Sequence, residues 1–231
     1  MEREIYVIMV AGGSGSRMGA DIPKQFLELG GRPILRRSIE LFTTALPKAK
    51  IITVLPLEYI PYWEDYCLKS NFSVPQMVVK GGITRFHSVK NALAKVPDGA
   101  IVAVHDAVRP LASVQLVREL ASKAAECGSA IPVIPAVDTL KVLDNIDGDL
   151  HSTSETLDRT RIFCGQTPQF FYSEILSEAY EQAFDMSFTD DASVVERKNI
   201  PLSYMMGERF NIKITTAEDL FLAEAIIRKQ D

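Results

Sequence analysis

Three residue types in this chain can handle phosphate: glycines gathered in turns, and arginines and lysines a few positions away from them. The first such segment is Ala11-Gly12-Gly13-Ser14-Gly15-Ser16-Arg17-Met18-Gly19, with Lys24 shortly after. Glycine lets the backbone approach a ligand closely and reach φ > 0 without a steric penalty. Successive backbone N–H groups in such a loop make a concavity for anions, and Arg17 and Lys24 add fixed positive charge. The segment reads as a triphosphate site. It is not a P-loop, which needs G-x-x-x-x-G-K-[ST], because no glycine here precedes Lys and then Ser or Thr. Nor is it the dinucleotide loop G-x-G-x-x-G with an acid closing the second strand. Gly13 and Gly15 are followed by Gly19, one place too late, and the acid after the second apolar run is Glu58, beyond Pro56.

Two more clusters follow apolar runs. One is Lys80-Gly81-Gly82-Ile83-Thr84-Arg85, with Ser88 a turn further on; the other is His105-Asp106-Ala107-Val108-Arg109-Pro110. Paired glycines admit a flat group such as a base. Asp106 can accept from a sugar hydroxyl or stand near a metal, and Arg109 can clamp a phosphate. A local Asp106–Arg109 ion pair is the plainer alternative. His105 reads as a structural donor beside a turn, since no Ser or Cys nucleophile pattern accompanies it. His87 and His151 show no partner in the sequence. Thr189-Asp190-Asp191-Ala192 opens a helix with Thr189 as the expected N-cap. Lys213 lies in the strand-like run Asn211-Ile212-Lys213-Ile214-Thr215; buried, it needs an anion, and at an edge it faces water.

The elements that must position these residues alternate. Ile5–Val10, Ile51–Leu55, Met77–Val79, Ile101–Val104 and Ala130–Ile134 have strand length and strand-type residues. Helical patterns lie between them: Pro33 opens one with Ile34, Leu35, Ile39 and Leu41, another has Val89, Leu93 and Val96, and a third has Leu116, Val117 and Leu120. This alternation predicts a Rossmann-like α/β fold, a mostly parallel sheet with helices on both faces and ligands at the carboxyl ends of its strands. We expect a single domain over residues 1–231. From about 138 to 161 the pattern turns polar and turn-rich, as in a projecting β-arm that either flaps or embraces a second subunit. Asp158-Arg159 ends that arm, ahead of Cys164-Gly165-Gln166-Thr167-Pro168-Gln169. Thr215-Thr216-Ala217-Glu218 has the form of a capping box for a last helix.

With 231 residues, 47% hydrophobic and 24% charged, and a net charge of −5, the chain has room for a sizeable core. It gives no reason to expect nucleic acid or an anionic membrane as partner. Cys67, Cys127 and Cys164 are scattered and odd in number, which fits reduced thiols rather than a zinc site or disulfide framework. The apolar run near the N-terminus is too short for a signal peptide, and no run approaches a membrane span. The expected place is the cytoplasm.

Taken in order, the glycine loop with Pro23-Lys24-Gln25, Gly81-Gly82…Arg85…Ser88, His105 to Pro110, Asp138-Thr139, Gln166 to Gln169, Thr189 to Ser193 and Asn211 to Thr215 resemble one family. It is the 2-C-methyl-D-erythritol 4-phosphate cytidylyltransferases of the non-mevalonate isoprenoid pathway, matched from Ile5 to about Glu224. The resemblance implies transfer of CMP from CTP to a polyol phosphate, with release of pyrophosphate. By matching position, CTP would be held by Ala11, Gly12, Gly13, Gly15, Arg17, Lys24, Gly82, Ser88 and Asp106. The polyol phosphate would meet Asp106, Arg109, Thr139, Arg159, Thr189 and Lys213. Arg17, Lys24, Arg159 and Lys213 would be the catalytic cations, and Arg159 would serve the site of a neighbouring subunit in a homodimer. Mg²⁺ would be carried mainly by the CTP phosphates, with no protein metal ligand. Val108 and Gly165 resemble instead the sister ribitol-5-phosphate cytidylyltransferases, whereas Thr189-Asp190-Asp191-Ala192-Ser193 fits the methylerythritol branch.

Overall fold

The computed structural model describes residues 3–13, 22–146 and 149–230. Gly15 and Arg17 lie outside the described residues, so their expected roles have no structural counterpart here. In chain order the elements are β1 (Ile5–Val10), β2 (Glu28–Leu29), β3 (Arg32–Pro33), α1 (Ile34–Ala45), β4 (Lys50–Leu55), α2 (Ile60–Lys69), β5 (Gln76–Lys80) and α3 (Arg85–Leu93). Then come β6 (Ile101–Asp106), α4 (Val114–Cys127), β7 (Ser129–Pro135), β8 (Lys141–Ile146), β9 (Asp149–Thr156), β10 (Phe163–Gly165) and β11 (Gln169–Tyr172). The chain closes with α5 (Ser173–Tyr180), α6 (Asp191–Glu196), β12 (Tyr204–Met206) and α7 (Ala217–Gln230).

The main sheet runs β10-β7-β11-β6-β1-β4-β5, with β12 added beside β7. β1 is central and parallel to both β4 and β6, and β4 is parallel to β5. Side chains of a strand alternate between faces, and here both faces are apolar. Val7 and Met9 enter one core with Leu35, Phe42, Trp63, Leu116 and Leu120, from α1, α2 and α4. Tyr6 and Ile8 enter the other with Phe86, Val89, Leu176 and Val195, from α3, α5 and α6. Val7, Ile8 and Met9 have no exposed surface, and burying a side chain of this size is worth about 1.5–3 kcal/mol. A strand buried on both sides is therefore a near-continuous hydrophobic run, as the sequence reading supposed.

Two strands break the parallel pattern. β11 lies antiparallel between β6 and β7, and β10 is antiparallel to β7. Neither was foreseen. Each has only three or four residues, and β11 passes straight into α5, so no periodic signal had room to develop. β8 and β9 pair with each other in a sheet of their own, which is the expected arm. Among the described residues no helix is long and apolar enough to cross a membrane.

Two local expectations are corrected. The N-cap of α6 is Asp190, not Thr189: its side chain accepts from the N–H of Ser193, and the Ser193 hydroxyl reciprocates. The box at α7 sits one residue later than Thr215–Glu218. Thr216 Oγ1 accepts from the Asp219 N–H while the Asp219 carboxylate accepts from the Thr216 N–H. In both cases two adjacent capping residues competed, and the carboxylate took the position where it could also gather extra N–H groups.

Candidate active site

The strands present one rim. Val10 of β1 is level with Val54 of β4 and Asp106 of β6, and Leu55 is level with Lys80 of β5. Backbone bonds continue past the strand ends: Ala11 N–H to Val54 O, Ala107 N–H to Val10 O and Gly81 N–H to Leu55 O, at 2.8–3.0 Å. The glycine turns are thus pinned at their bases by the sheet ladder. A cleft of about 490 Å³ opens above this rim, lined in part by Ala11, Gly12, Gly13, Lys24, Gly82, Ser88, Asp106 and Lys213.

Each lining residue has a local reason to be there. Lys24 lies in a 3-10 turn, Lys24–Phe26, and the next residue, Gln25, is buried and donates to Ala11 O at 2.7 Å. That bond ties the lysine's turn to the start of the glycine loop. Gly82 has no room for a side chain, because a Cβ would collide with His87. Its N–H donates to Ser88 Oγ at 3.0 Å, and Ser88 in turn donates to Thr84 O. Thr84 caps α3 through the His87 N–H and meets His87 Nδ1 at 2.8 Å, so His87 does have a partner.

Asp106 is the electrostatic centre. It is buried, with Lys213 Nζ 2.8 Å from Oδ2, Arg85 Nε 3.3 Å from Oδ1 and Arg109 Nε 3.8 Å from Oδ2. Burial alone would raise its pKa, but Arg85 and Lys213, with Arg109 behind them, hold the carboxyl well below its usual range. Asp106 is therefore a permanent anion among three cations. The Asp106–Arg109 ion pair exists; Asp106 lines the cleft, and Arg109 stands behind it, outside the lining.

Lys213 reaches this point from a segment that is not a strand. Asn211–Thr215 makes a single backbone bond to the rim, Ile214 N–H to Val108 O, with Ile214 buried beside Val108. The two apolar residues that made the run look strand-like serve as anchors on either side of a half-exposed lysine. Arg109 is largely enclosed, its guanidinium donating to Asn211 O at 2.8 Å. Its Nε and the buried Asn211 Oδ1 have no hydrogen-bond partner among the described residues. The Nε instead faces the Asp106 carboxylate at 3.8 Å, a charge contact too long for a hydrogen bond.

His105 is fully buried, edge-on to Phe42. Arg109 O can only accept, so His105 Nε2 carries the proton and donates to it across 3.0 Å. Nδ1 then accepts from Thr167 Oγ1 at 3.2 Å, and the same oxygen accepts the Asp106 N–H. Burial pushes the imidazole pKa down to about 4. The histidine is a neutral strut under the Asp106–Arg109 turn, as its sequence context suggested.

The remaining expected residues stand outside the cleft lining. Thr139 and Thr189 are exposed, and Arg159 is exposed at the root of the arm, donating to Val137 O. Sequence reasoning quoted Arg85 without giving it a role and missed Asp191 as its partner. Arg85 Nη2 meets Asp191 Oδ2 at 2.6 Å, while Tyr180 donates to Asp191 Oδ1 and Gln169 holds the start of α6 through Asp190 and the Ala192 N–H. The available signal was position: Arg85 and Ser88 are one turn apart on the helix that follows Gly81-Gly82.

A parallel sheet with glycine turns at its strand ends, facing a cluster of fixed cations, defines a nucleotide-binding enzyme that brings two anions together: a nucleotidyltransferase. The family model "IspD: 2-C-methyl-D-erythritol 4-phosphate cytidylyltransferase" matches residues 5–229, and the chain belongs to this family. A protein of that name from Bacteroides thetaiotaomicron is 45% identical over 221 residues, 96% of this chain and 98% of the relative. One from Porphyromonas gingivalis is 43% identical over 228 residues, 98% and 99%. Among solved structures, the Anaerococcus prevotii 4-diphosphocytidyl-2C-methyl-D-erythritol synthase superposes with a TM-score of 0.80 at 27% identity, covering 98% of this chain and 99% of that one. The Thermus thermophilus 2-C-methyl-D-erythritol 4-phosphate cytidylyltransferase does so at 0.75 and 30%, covering 99% and 100%. Of the two residues that resembled the ribitol enzymes, Val108 lines the cleft and Gly165 is exposed outside it. Val108 is buried against Leu29, Ile34 and Ile214, and Gly165 sits on β10 with room for a Cβ in ordinary contact with Asp190.

Proposed function

We propose that this protein joins CTP to 2-C-methyl-D-erythritol 4-phosphate, giving the CDP-polyol and pyrophosphate. The observation that carries the reading is the single cleft in which Gly12, Gly13, Gly82 and Lys24 face Asp106 and Lys213. CTP would lie with its base and ribose against Gly82, Ser88 and Asp106, and with its triphosphate along Ala11–Gly13, Gly15, Arg17 and Lys24. The polyol phosphate would take the opposite side, against Arg109 and Lys213. Thr139 and Thr189 would complete that side from the loops around it.

The chemistry asks for little beyond position. A phosphate oxygen of the polyol attacks the α-phosphorus, the bond from that phosphorus to the bridging oxygen breaks, and pyrophosphate leaves with the electron pair. The nucleophile is already an anion, so no general base is required. Two polyanions must instead be held in line and the growing charge neutralised. Lys24 and Arg17 would stabilise the α-phosphate and leaving group, and Lys213 and Arg159 would aim the nucleophile. Lys213 reaches substrate by turning from Asp106, which keeps Arg85 and Arg109 as partners when it does.

Mg²⁺ fits a particular place in this scheme. The one carboxylate lining the described cleft is Asp106, which is already engaged with three cations. The ion would therefore be held by phosphate oxygens and water, which suits its reluctance to shed hydration. It would supply charge neutralisation on the triphosphate.

Arg159 reads as the residue given to a second subunit. Its exposure at the root of the β8–β9 arm, away from its own chain's cleft, supports a homodimer in which each arm completes the partner's site. The cytoplasm, where CTP is made and spent, is the compartment that suits the reaction. The deciding experiment measures pyrophosphate release from CTP and Mg²⁺ with methylerythritol 4-phosphate and ribitol 5-phosphate in parallel. A strong preference for the first is expected; preference for the second, or silence with both, overturns the reading.

A further inference from the structure

We propose that Gln166 is a positioning residue for the polyol-phosphate side of this cleft. Its carboxamide clasps the turn that carries Asn211 and Lys213, and through the Asn211 carbonyl it sets the Arg109 guanidinium. The proposal rests on the reading above in assigning Arg109 and Lys213 to that substrate.

Gln166 is buried and uses both ends of its amide. Nε2 donates to Glu208 O at 2.8 Å and to Asn211 O at 3.3 Å. Oε1 accepts from the Glu208 N–H at 3.2 Å and from Asn211 Nδ2 at 3.4 Å. Its own N–H is fixed to Pro132 O on β7 at 2.8 Å. The side chain is thus a rigid bracket between the main sheet and a turn with no ladder of its own. Gly207 shows that the turn is shaped around it: φ there is not in the left-handed region, and a Cβ would collide with Gln166 Oε1. Glycine is needed for proximity, not for backbone conformation.

The clasp ends on the cations. Asn211 O accepts Nε2 of Gln166 on one side and Nη1 of Arg109 on the other, and Asn211 Nδ2 is held by Thr167 O at 2.9 Å. Arg109 has no second firm hydrogen bond from its guanidinium among the described residues, only the longer ion pair to Asp106. Lys213 follows Asn211 by two residues, with Ile212 between. Loosening the bracket therefore moves both cations together while the CTP side, built on β1, α3 and the Lys24 turn, keeps its own supports.

The test is steady-state kinetics of Gln166→Ala and Gly207→Ala, the second disturbing the clasp from the opposite side with Gln166 retained. Displacements of about an ångström can cost on the order of 100-fold in rate. We expect a loss of that order in kcat/KM for the polyol phosphate and an unchanged KM for CTP, with the melting temperature lowered by the lost buried bonds but still well above the assay temperature. Added to Arg109→Ala, Gln166→Ala should cost much less than it does alone, because coupled residues are non-additive. Equal losses for both substrates, or full additivity with Arg109→Ala, overturn the proposal. Binding of inorganic phosphate, followed by phosphorus NMR, reads the same cations without turnover; it should weaken in Gln166→Ala, and unchanged binding overturns the clasp. The wild-type rate run alongside judges the assigned reaction separately.

Discussion

Lys213 Nζ lies 2.8 Å from Asp106 Oδ2, so a half-exposed cation rests on the one carboxylate that lines the described cleft. The pair places Lys213 without needing substrate, and it leaves the carboxylate two other cations when the lysine turns away. Asp106→Asn keeps the shape and removes the charge. Arg85, Arg109 and Lys213 would then repel one another at short range, with Arg109 deprived of its counter-ion. We expect kcat/KM to fall by two orders of magnitude or more, a loss on the scale of one lost electrostatic contact at an active site. Pyrophosphate release checks it, and near-normal turnover would show that Asp106 is only a spacer.

Lys24→Ala should lower turnover by orders of magnitude while leaving the melting temperature near that of the parent. The turn that carries Lys24 is held by Gln25 and by Phe26 in the core, neither of which the change touches. Turnover close to normal would remove Lys24 from the mechanism.

Arg159 offers a test by mixing. A dimer of Arg159→Ala with Lys24→Ala has, on the crossed arrangement, one site carrying both defects and one carrying neither. Two inactive preparations should regain up to half of the normal activity in each mixed dimer once subunits have exchanged. No recovery after proven exchange would place Arg159 in its own subunit's cleft or outside catalysis.

The buried His105 ties stability to pH. Its pKa falls from 6.5 to about 4 on folding, so between these values the unfolded chain binds the extra proton. Stability is then complete above about 6.5 and declines as pH falls toward 4, by about 3 kcal/mol for a shift of this size. Thermal unfolding from pH 7 to 4.5 should show the decline, and His105→Gln should flatten it. A flat wild-type curve would refute the neutral buried imidazole.

Much of this was legible because parallel strands carry their ligands at one end. The runs Ile5–Val10, Ile51–Leu55, Met77–Val79 and Ile101–Val104 identified themselves by apolar content, and residues just beyond them, Gly12, Gly82 and Asp106, are where the rim converges. What the sequence did not disclose were the supports. Asp191 is an acid on a capping turn like many others, and only the fold brings it to Arg85 and Tyr180. Lys213 was read in the wrong secondary structure because Ile212 and Ile214 mimic strand alternation; the sequence left open a buried lysine with an anionic partner or an edge lysine facing water, and the residue is half-exposed and paired with Asp106. Gln25, Thr167 and Asn211 act through hydrogen bonds to distant backbone atoms, and no local pattern announces those.

The reversal of β11 has a consequence for how this rim can change. In a sheet whose strands all point one way, each contributes a single departing segment to the ligand end. Because β11 runs the other way, its approach, Gln166–Thr167, arrives where its neighbours depart, and two lineages of loop meet at one place. Departing loops line the cleft; the arriving one stands behind them, tied to β7 and to their backbones. Selectivity and rate can then drift through the hidden buttress while every visible contact stays the same, so variants tuned to a new polyol should be sought beneath the surface of the cleft as well as on it.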